Sequence, residues 1–113
     1  MKVAICIELT DGNQRFSDRF GSSDQFLIYD LEKKTLRDTF YNHFKSSPTA
    51  EIFCAQFLIK EGVNAVVCRK CGNDAKNLFS EANIEIIENI GLRPTEFLNI
   101  LFAKYSNSKS IAI

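Results

Sequence analysis

The sequence predicts one α/β domain with a five-stranded mixed sheet, helices on both faces and the element order β-β-β-α-β-α-β-α. Two patterns lead to this prediction. Strand-like runs come first in the chain, and helical and strand-like patterns then alternate to its end. The length of 113 residues supports one hydrophobic core but not two. We therefore expect one domain over residues 1–105 and a polar tail over 106–113.

Five short runs rich in apolar residues are predicted to be strands: Val3–Ile7, Gln25–Leu31, Thr35–Tyr41, Val63–Cys68 and Ile84–Ile87. The second and third runs flank a short charged connection, so they should pair antiparallel. The cluster Thr10–Asn13 is predicted to be a turn, because Asp, Gly and Asn favour turn conformations. Residues 111–113 could add a small edge strand.

Three segments are predicted to be helices because their apolar residues recur at helical spacing: Thr49 to Gly62, Asn73 to about Ala82, and Pro94 to Tyr105. Thr49 should cap the first helix, and either Asn73 or Asp74 the second. Pro94 fits the first turn of the third helix, where its missing N–H costs nothing. The side chains expected to pack against the sheet are Phe53, Phe57, Phe97 and Leu101.

The two later strands are each reached through a helix. Because such crossovers are right-handed and join parallel strands, Val63–Cys68 and Ile84–Ile87 should run parallel to Val3–Ile7. This order of elements is that of the ribonuclease H-like fold. A nuclease of that fold would need several carboxylates converging on the middle of the sheet, and the predicted strands do not supply them.

The charges of the chain balance, with 14 Lys and Arg against 14 Asp and Glu, so no global field favours nucleic acid or an anionic membrane. No apolar segment is long enough to span a membrane, and the N-terminal apolar run is too short for a signal peptide. We expect a cytoplasmic monomer or homodimer. In a reducing compartment, metal binding or thiol chemistry explains the four cysteines better than disulfides do.

A polar loop, Ser17-Asp18-Arg19-Phe20-Gly21, directly precedes the predicted strand that begins at Gln25. The glycine allows a tight turn that can present neighbouring groups to a ligand. This arrangement resembles the Ser-x-His-Phe-Gly loop of the dinitrogenase iron–molybdenum cofactor biosynthesis family, in which histidine is usual at the position of Arg19. The resemblance extends through the apolar first strand, the run Phe26–Asp30, the run Gly62–Val67 and Gly72.

The resemblance implies that the chain binds a metal cluster of the iron–sulfur or iron–molybdenum type and passes it to a protein partner. The family histidine is implied to contact the cofactor, whereas a guanidinium has no lone pair with which to ligate a metal. Arg19 could instead hold an anionic ligand through paired hydrogen bonds. The cofactor-binding residues implied by the resemblance are Ser17, Arg19, Phe20, Gly21, His43 and Gly72.

Cys68-Arg69-Lys70-Cys71 is a motif that the family pattern lacks. It should lie in an exposed loop at the carboxyl edge of the sheet, before a helix N-terminus. The helix dipole and the two cations would lower the thiol pKa values and favour thiolate. Cys68 and Cys71 are therefore candidate ligands for an iron–sulfur cluster or another thiophilic metal, or could close a disulfide.

Cys6 and Cys54 lie in apolar segments and are expected in the core, although Cys6 could approach Cys68. No Ser–His–Asp set, acidic pair or phosphate-binding loop indicates catalysis, so we do not expect an enzyme. The leading hypothesis is a non-catalytic carrier that binds a metal cluster between the 17–21 and 68–72 loops. The alternatives are a thiol-based metal-binding or redox-responsive protein that uses Cys68 and Cys71, and a ligand-free interaction domain.

Overall fold

The computed structural model describes residues 1–88 and 91–108, in which strands and helices alternate much as predicted. The strands are β1 (Lys2–Thr10), β2 (Asn13–Phe16), β3 (Gln25–Asp30), β4 (Thr35–Tyr41), β5 (Ala65–Val67) and β6 (Glu85–Ile87). The helices are α1 (Ala50–Lys60), α2 (Asn73–Glu81) and α3 (Pro94–Ser108), and a single 3-10 turn covers Phe20–Ser22. Within these residues, no helix is both long and apolar enough to cross a membrane.

The sheet is mixed, as predicted, with the strand order β4-β3-β1-β5-β6. Its first three strands pair antiparallel. β5 runs parallel to β1, with Val3 opposite Ala65, and β6 runs parallel to β5, with Val66 opposite Ile86. The expected parallel pairing of the first strand with the strand before α2 is therefore confirmed. The ribonuclease H-like topology remains a prediction.

The prediction of five strands is wrong, because β2 adds a sixth strand antiparallel to the end of β1. The turn between them is only Asp11 and Gly12, whose φ angles of 50° and 79° suit a two-residue hairpin. Ile7 pairs with Phe16 on one side and Gln25 on the other, so β2 occupies the edge of β1 beyond the end of β5. β2 was not predicted because three of its four residues are polar and form no apolar run.

Side chains on the two faces of β1 form two separate cores, which confirms helices on both faces of the sheet. Ala4 and Cys6 belong to the core beneath α1 and α2. Val3, Ile5 and Ile7 belong to the core beneath α3. This division follows from the alternation of side chains along a strand.

The predicted facing of α1 is wrong for Phe53, which is 42% exposed. The buried face of α1 consists mainly of small side chains: Ala50, Cys54, Ala55 and Leu58. Small residues let the helix approach the sheet closely, so the larger aromatic side chains lie beside the contact. Phe57 is half-buried and packs on Phe26 and Phe40. On α3, the predicted burial of Phe97 and Leu101 is confirmed.

The helix ends differ from prediction in two places. Neither Asn73 nor Asp74 caps α2, whose N-cap residue is Gly72. α3 begins at Pro94 as predicted but continues to Ser108, so the start of the expected polar tail is helical. The strand predicted at 111–113 lies outside the described residues.

Candidate functional site

The two loops that the sequence singled out lie side by side at the carboxyl ends of β1 and β5. Ser17 N–H donates to Cys6 C=O at 2.9 Å, which seats the first loop beside β1 just past the residues that pair with β5. Arg69 N–H donates to Ser17 C=O at 3.3 Å, and Phe20 N–H donates to Lys70 C=O at 2.9 Å. These backbone hydrogen bonds hold the two loops in direct contact, and a cluster-binding cleft between them remains a prediction.

Three of the predicted site residues fix the shape of this joined surface. The buried Ser17 Oγ donates to Arg19 C=O at 2.8 Å, closing the loop on itself. Phe20 is buried against Phe26 and Phe79. A Cβ on Gly21 would lie 3.0 Å from the Glu51 backbone nitrogen, so glycine allows the loop to touch the start of α1.

Gly72 also has a packing role, because it makes room for a carboxylate at the N-terminus of α2. A Cβ at Gly72 would overlap both carboxylate oxygens of Glu51. Glu51 Oε1 accepts a hydrogen bond from Ala75 N–H at 3.2 Å. The positive end of α2, where an anionic ligand was conceivable, therefore already holds a side chain from α1.

The expectation that Cys68 and Cys71 lie exposed is wrong, since they are 0% and 2% exposed. Cys71 N–H donates to Glu88 Oε2 at 2.7 Å, and Lys70 is held by its bond to Phe20. With the backbone fixed at these points, the two thiols lie in the core and the two cations between them remain accessible to solvent.

The electrostatics of the thiols oppose the predicted thiolate character. The neighbouring Cys71 thiol, as a hydrogen-bond partner, is the largest cause that raises the pKa of Cys68 far above its usual range, and burial is the second. Burial, with Cys71 and Cys54 nearby, raises the pKa of Cys6, and burial raises the pKa of Cys54 to about 11. The expected burial of Cys6 and Cys54, and the approach of Cys6 to Cys68, are confirmed.

Metal ligation by Cys68 and Cys71 remains a prediction. Within residues 1–88 and 91–108, no three His, Cys, Asp or Glu side chains are arranged to hold a metal ion. His43 is exposed and lines a different cleft of about 430 Å³, together with Phe40, Phe44 and Phe57. The structure therefore does not bring His43 to the joined loops.

A larger open cleft, of about 990 Å³, lies between the β1–β2 hairpin and the start of α3. Arg15 from β2, Arg69 from the 68–72 loop and Arg93 before α3 all line it, as do Gln25 and Glu96. This cleft was not predicted, because its arginines are far apart in the chain and Arg15 lies on β2, which has no apolar run. The only sequence signal was the position of Arg69 directly after an apolar strand.

The cations of this cleft are only weakly neutralised. Arg69 Nη1 lies 3.7 Å from Asp18 Oδ1, and Arg15 Nη2 lies 3.9 Å from Glu8 Oε1. Both distances are longer than that of a hydrogen bond. The Arg69 Nε donor and the Gln25 Oε1 acceptor are buried without a hydrogen-bond partner. The cleft thus carries positive charge that the described residues pair only weakly.

The model of the family described as dinitrogenase iron–molybdenum cofactor matches residues 1–102. This chain belongs to the dinitrogenase iron–molybdenum cofactor family. No curated protein matches it. The apo form of the orange protein from Desulfovibrio gigas has the same fold, with a TM-score of 0.77 and 21% identity over 91% of this chain and 88% of that one. So does a Thermotoga protein described provisionally as NifB, with a TM-score of 0.71 and 23% identity over 91% and 87% of the two chains.

Within the loop that resembles the family pattern, Arg19 stands where histidine is usual. Its side chain is exposed, immediately before the 3-10 turn, and forms no ion pair with the residues that the structure describes. A guanidinium at this place can contact an anion but cannot ligate a metal. A role for Arg19 in this family member's ligand binding remains a prediction.

Proposed function

We propose that this family member is a non-catalytic binding protein that holds and releases an anionic, metal-containing species of the iron–sulfur or iron–molybdenum type. The observation that carries the proposal is the open cleft lined by Arg15, Arg69 and Arg93. It adjoins the joined loops, at the carboxyl edge where open α/β sheets gather their ligands. An open site suits a carrier, because the cargo can leave for a protein partner without the domain unfolding.

Local charge supports an anionic cargo. The whole chain has no net charge, yet three arginines line the cleft against one carboxylate, Glu96. Clusters built from iron and sulfide, when ligated by thiolates, carry negative charge. Arginine holds such anions through several N–H donors in a fixed geometry. The exposed Arg19 and Lys70 on the joined loops add to the same field.

A binding role without turnover also suits the residues of the cleft. Among its described lining residues there is one carboxylate and no histidine or cysteine, so a general acid–base pair is not formed there. The thiols beneath the loops are buried, and the pKa of Cys68 is raised. We therefore expect retention and release of a ligand rather than chemistry on it.

Anaerobic purification, followed by analysis of bound metal and acid-labile sulfide, tests the proposal. The triple variant R15A/R69A/R93A should lose most of the metal that the wild-type chain retains. R37A, which removes an exposed arginine of β4 outside the cleft, is the matched control and should retain it. Wild-type protein without metal, also after incubation with iron and sulfide, would contradict the proposal.

A thiol-based function is the second candidate, favoured by the position of Cys6, Cys68 and Cys71 in one core cluster beneath the joined loops. If these thiols ligate the metal after the loop opens, C68S/C71S should abolish metal retention while R15A/R69A/R93A preserves it. The opposite pattern supports the cleft. If both variants lose metal, the loop and the cleft hold it together.

A further inference from the structure

The strand β4 forms one long edge of the sheet. Within the residues that the structure describes, it pairs with β3 on one side and has no strand on the other. Six of its seven residues are exposed, among them Leu36 at 47% and Tyr41 at 65%, so most of the strand is covered on neither face. A long exposed edge presents unpaired backbone N–H and C=O groups and is a template for pairing with another strand.

The contacts with β3 determine which backbone groups of β4 are free. Asn42 N–H, directly after the strand, donates to Asp24 C=O at 3.0 Å, so it points towards β3. Backbone groups alternate in direction along an antiparallel strand. The N–H and C=O groups of Tyr41 and Thr39 therefore point away from β3, where a further strand can bond to them.

A β-bulge interrupts this alternation in the middle of β4. The register with β3 shifts there and leaves Arg37 as an extra residue between Leu36 and Asp38. The backbone groups of Leu36 are therefore the next after those of Thr39 to point outward. A partner strand that pairs with both Leu36 and Thr39 must carry an extra residue at the same place, which a regular strand lacks.

A second copy of β4 supplies both the extra residue and complementary charges. Arg37 Nε lies 3.8 Å from Asp38 Oδ2, which is longer than a hydrogen bond, and both side chains are exposed enough to pair with another chain. When two copies of β4 run antiparallel with Leu36 of each copy opposite Thr39 of the other, Arg37 falls opposite Asp38 of the second copy. The two-fold symmetry repeats this contact, so the two copies form two cross-strand ion pairs.

The neighbouring registers are disfavoured by charge. A shift of one residue in one direction places Asp38 opposite Asp38 of the second copy, and a shift in the other direction places Arg37 opposite Arg37. Like charges directly opposite each other destabilise a strand pair. Charges and bulges usually protect an edge from pairing, but here they leave one register open to a second copy.

We propose that two copies of this chain associate through β4, antiparallel around a two-fold axis, with Arg37 of each copy opposite Asp38 of the other. The two sheets then form one continuous sheet, in which the exposed side chain of Leu36 lies beside Thr39 of the second copy. The inference goes beyond the proposed function and does not depend on it, because none of the described residues that line the arginine-lined cleft belongs to β4.

Sedimentation equilibrium from about 10 µM to about 1 mM protein tests the proposal, because a small interface between two strands gives a weak dimer. Wild-type protein should be dimeric at the upper concentrations. R37D places acidic groups opposite each other at both contacts, and D38R places guanidinium groups there. Each variant should raise the dissociation constant of the dimer at least about tenfold. The double variant R37D/D38R restores opposite charges and should dimerise like the wild-type protein.

A mixture of the two single variants is the most selective measurement. In a mixed dimer the acidic groups of R37D face the guanidinium groups of D38R, so the equimolar mixture should dimerise although neither variant does so alone. T39P removes an outward-pointing N–H and should also prevent dimerisation, while the pairing of β4 with β3 is kept. E81R reverses an exposed charge on α2 and should leave the dissociation constant unchanged. Far-UV circular dichroism confirms that each variant is folded.

The inference is overturned if wild-type protein is monomeric throughout this range, or if R37D or T39P dimerises as well as wild type does. It is overturned equally if the mixture of R37D and D38R stays monomeric. If T39P does not fold, the charge variants and their mixture decide the matter. Retention of metal by a monomer contradicts the inference alone, and a dimer of the predicted register without metal retention contradicts the carrier function alone.

Discussion

The orientation of the Cys68 and Cys71 side chains reverses the reactivity that two cations and a helix N-terminus would give to a Cys-x-x-Cys motif. Sequence proximity placed Arg69 and Lys70 next to the thiols, but the backbone directs the cations and the thiols to opposite sides. The thiols thus gain the desolvation of the core and lose the stabilising charge. The hydrogen bonds to the 17–21 loop and to Glu88 hold the backbone in this orientation, and those pairings cannot be predicted from the motif alone.

We predict that all four cysteines react slowly with iodoacetamide in the native protein. With a pKa of about 11, only about one Cys54 thiol in a thousand is ionised near pH 8, and burial blocks access as well. Quantitative mass spectrometry should show labelling at least about a hundredfold slower than in guanidinium chloride. Rapid native labelling of Cys68 and Cys71 alone would contradict the buried orientation.

Gly72 and Glu51 form a second contact whose importance can be measured. Because a Cβ at position 72 would overlap the Glu51 carboxylate, Gly72→Ala should displace the group that accepts from Ala75 N–H. The free energy of unfolding should fall by about 1–2 kcal/mol, the usual cost of losing a helix N-cap interaction. Chemical denaturation measures this change.

Gly91→Ala is the matched control, since a Cβ there meets nothing within 4 Å, and it should leave the stability nearly unchanged. In the double variant G72A/E51A, the new Cβ has no carboxylate to displace. The double variant should therefore lose less free energy of unfolding than the sum of the losses in G72A and E51A. Strict additivity of G72A and E51A would show that these side chains do not interact.

At the scale of elements, the strands with continuous apolar runs were predicted, and the short polar strand β2 was not. β1, β3 and β5 follow from continuous apolar runs, because a buried strand needs apolar side chains on both faces. β2 has one buried residue, Phe16, and its stability comes from pairing with β1 rather than from its own composition. The Asp11-Gly12 pair was the available signal, since it is typical of a two-residue hairpin.

The cleft was unpredictable for a related reason. Arg15, Arg69 and Arg93 come together only after β2 joins β1 and α3 packs on the opposite face of the sheet from α1. The spacing of these three arginines in the sequence does not indicate that they line one cleft. The loop residues Ser17, Phe20 and Gly21 were found because a local motif holds them, although their packing roles needed the structure.

The two phenylalanines of α1 test how this helix faces the sheet. Phe57 packs on Phe26 and Phe40 but is half-buried, so Phe57→Ala should lower the free energy of unfolding by about 2 kcal/mol, less than for a fully buried ring. Phe53 contacts Phe44 on the surface, and Phe53→Ala should cost less than about 1 kcal/mol. Urea denaturation of both variants decides the matter, and a larger loss for Phe53 would reverse the assigned face.

For the whole molecule, both cores share the central strand β1 and its neighbours β3 and β5. The side chains of these strands alternate between the core beneath α1 and α2 and the core beneath α3, so neither core can form without them. Loosening one face should therefore loosen the other, because the central strand would lose its packing on one side. The small size of the domain favours such coupling, since single domains of this length usually unfold in one step.

Matched substitutions on the two faces test this cooperativity. Leu58 on α1 and Leu101 on α3 are both fully buried, so Leu58→Ala and Leu101→Ala should each cost about 2–5 kcal/mol. Tyr29 and Tyr105 belong to the α3 core, and tyrosine fluorescence therefore reports mainly on that face, whereas far-UV circular dichroism reports on all helices. In Leu58→Ala, both signals should shift to the same lower denaturant midpoint, although the substitution lies on the face opposite those tyrosines. A variant in which circular dichroism changes first, while tyrosine fluorescence keeps the wild-type midpoint, would show that the two cores unfold separately.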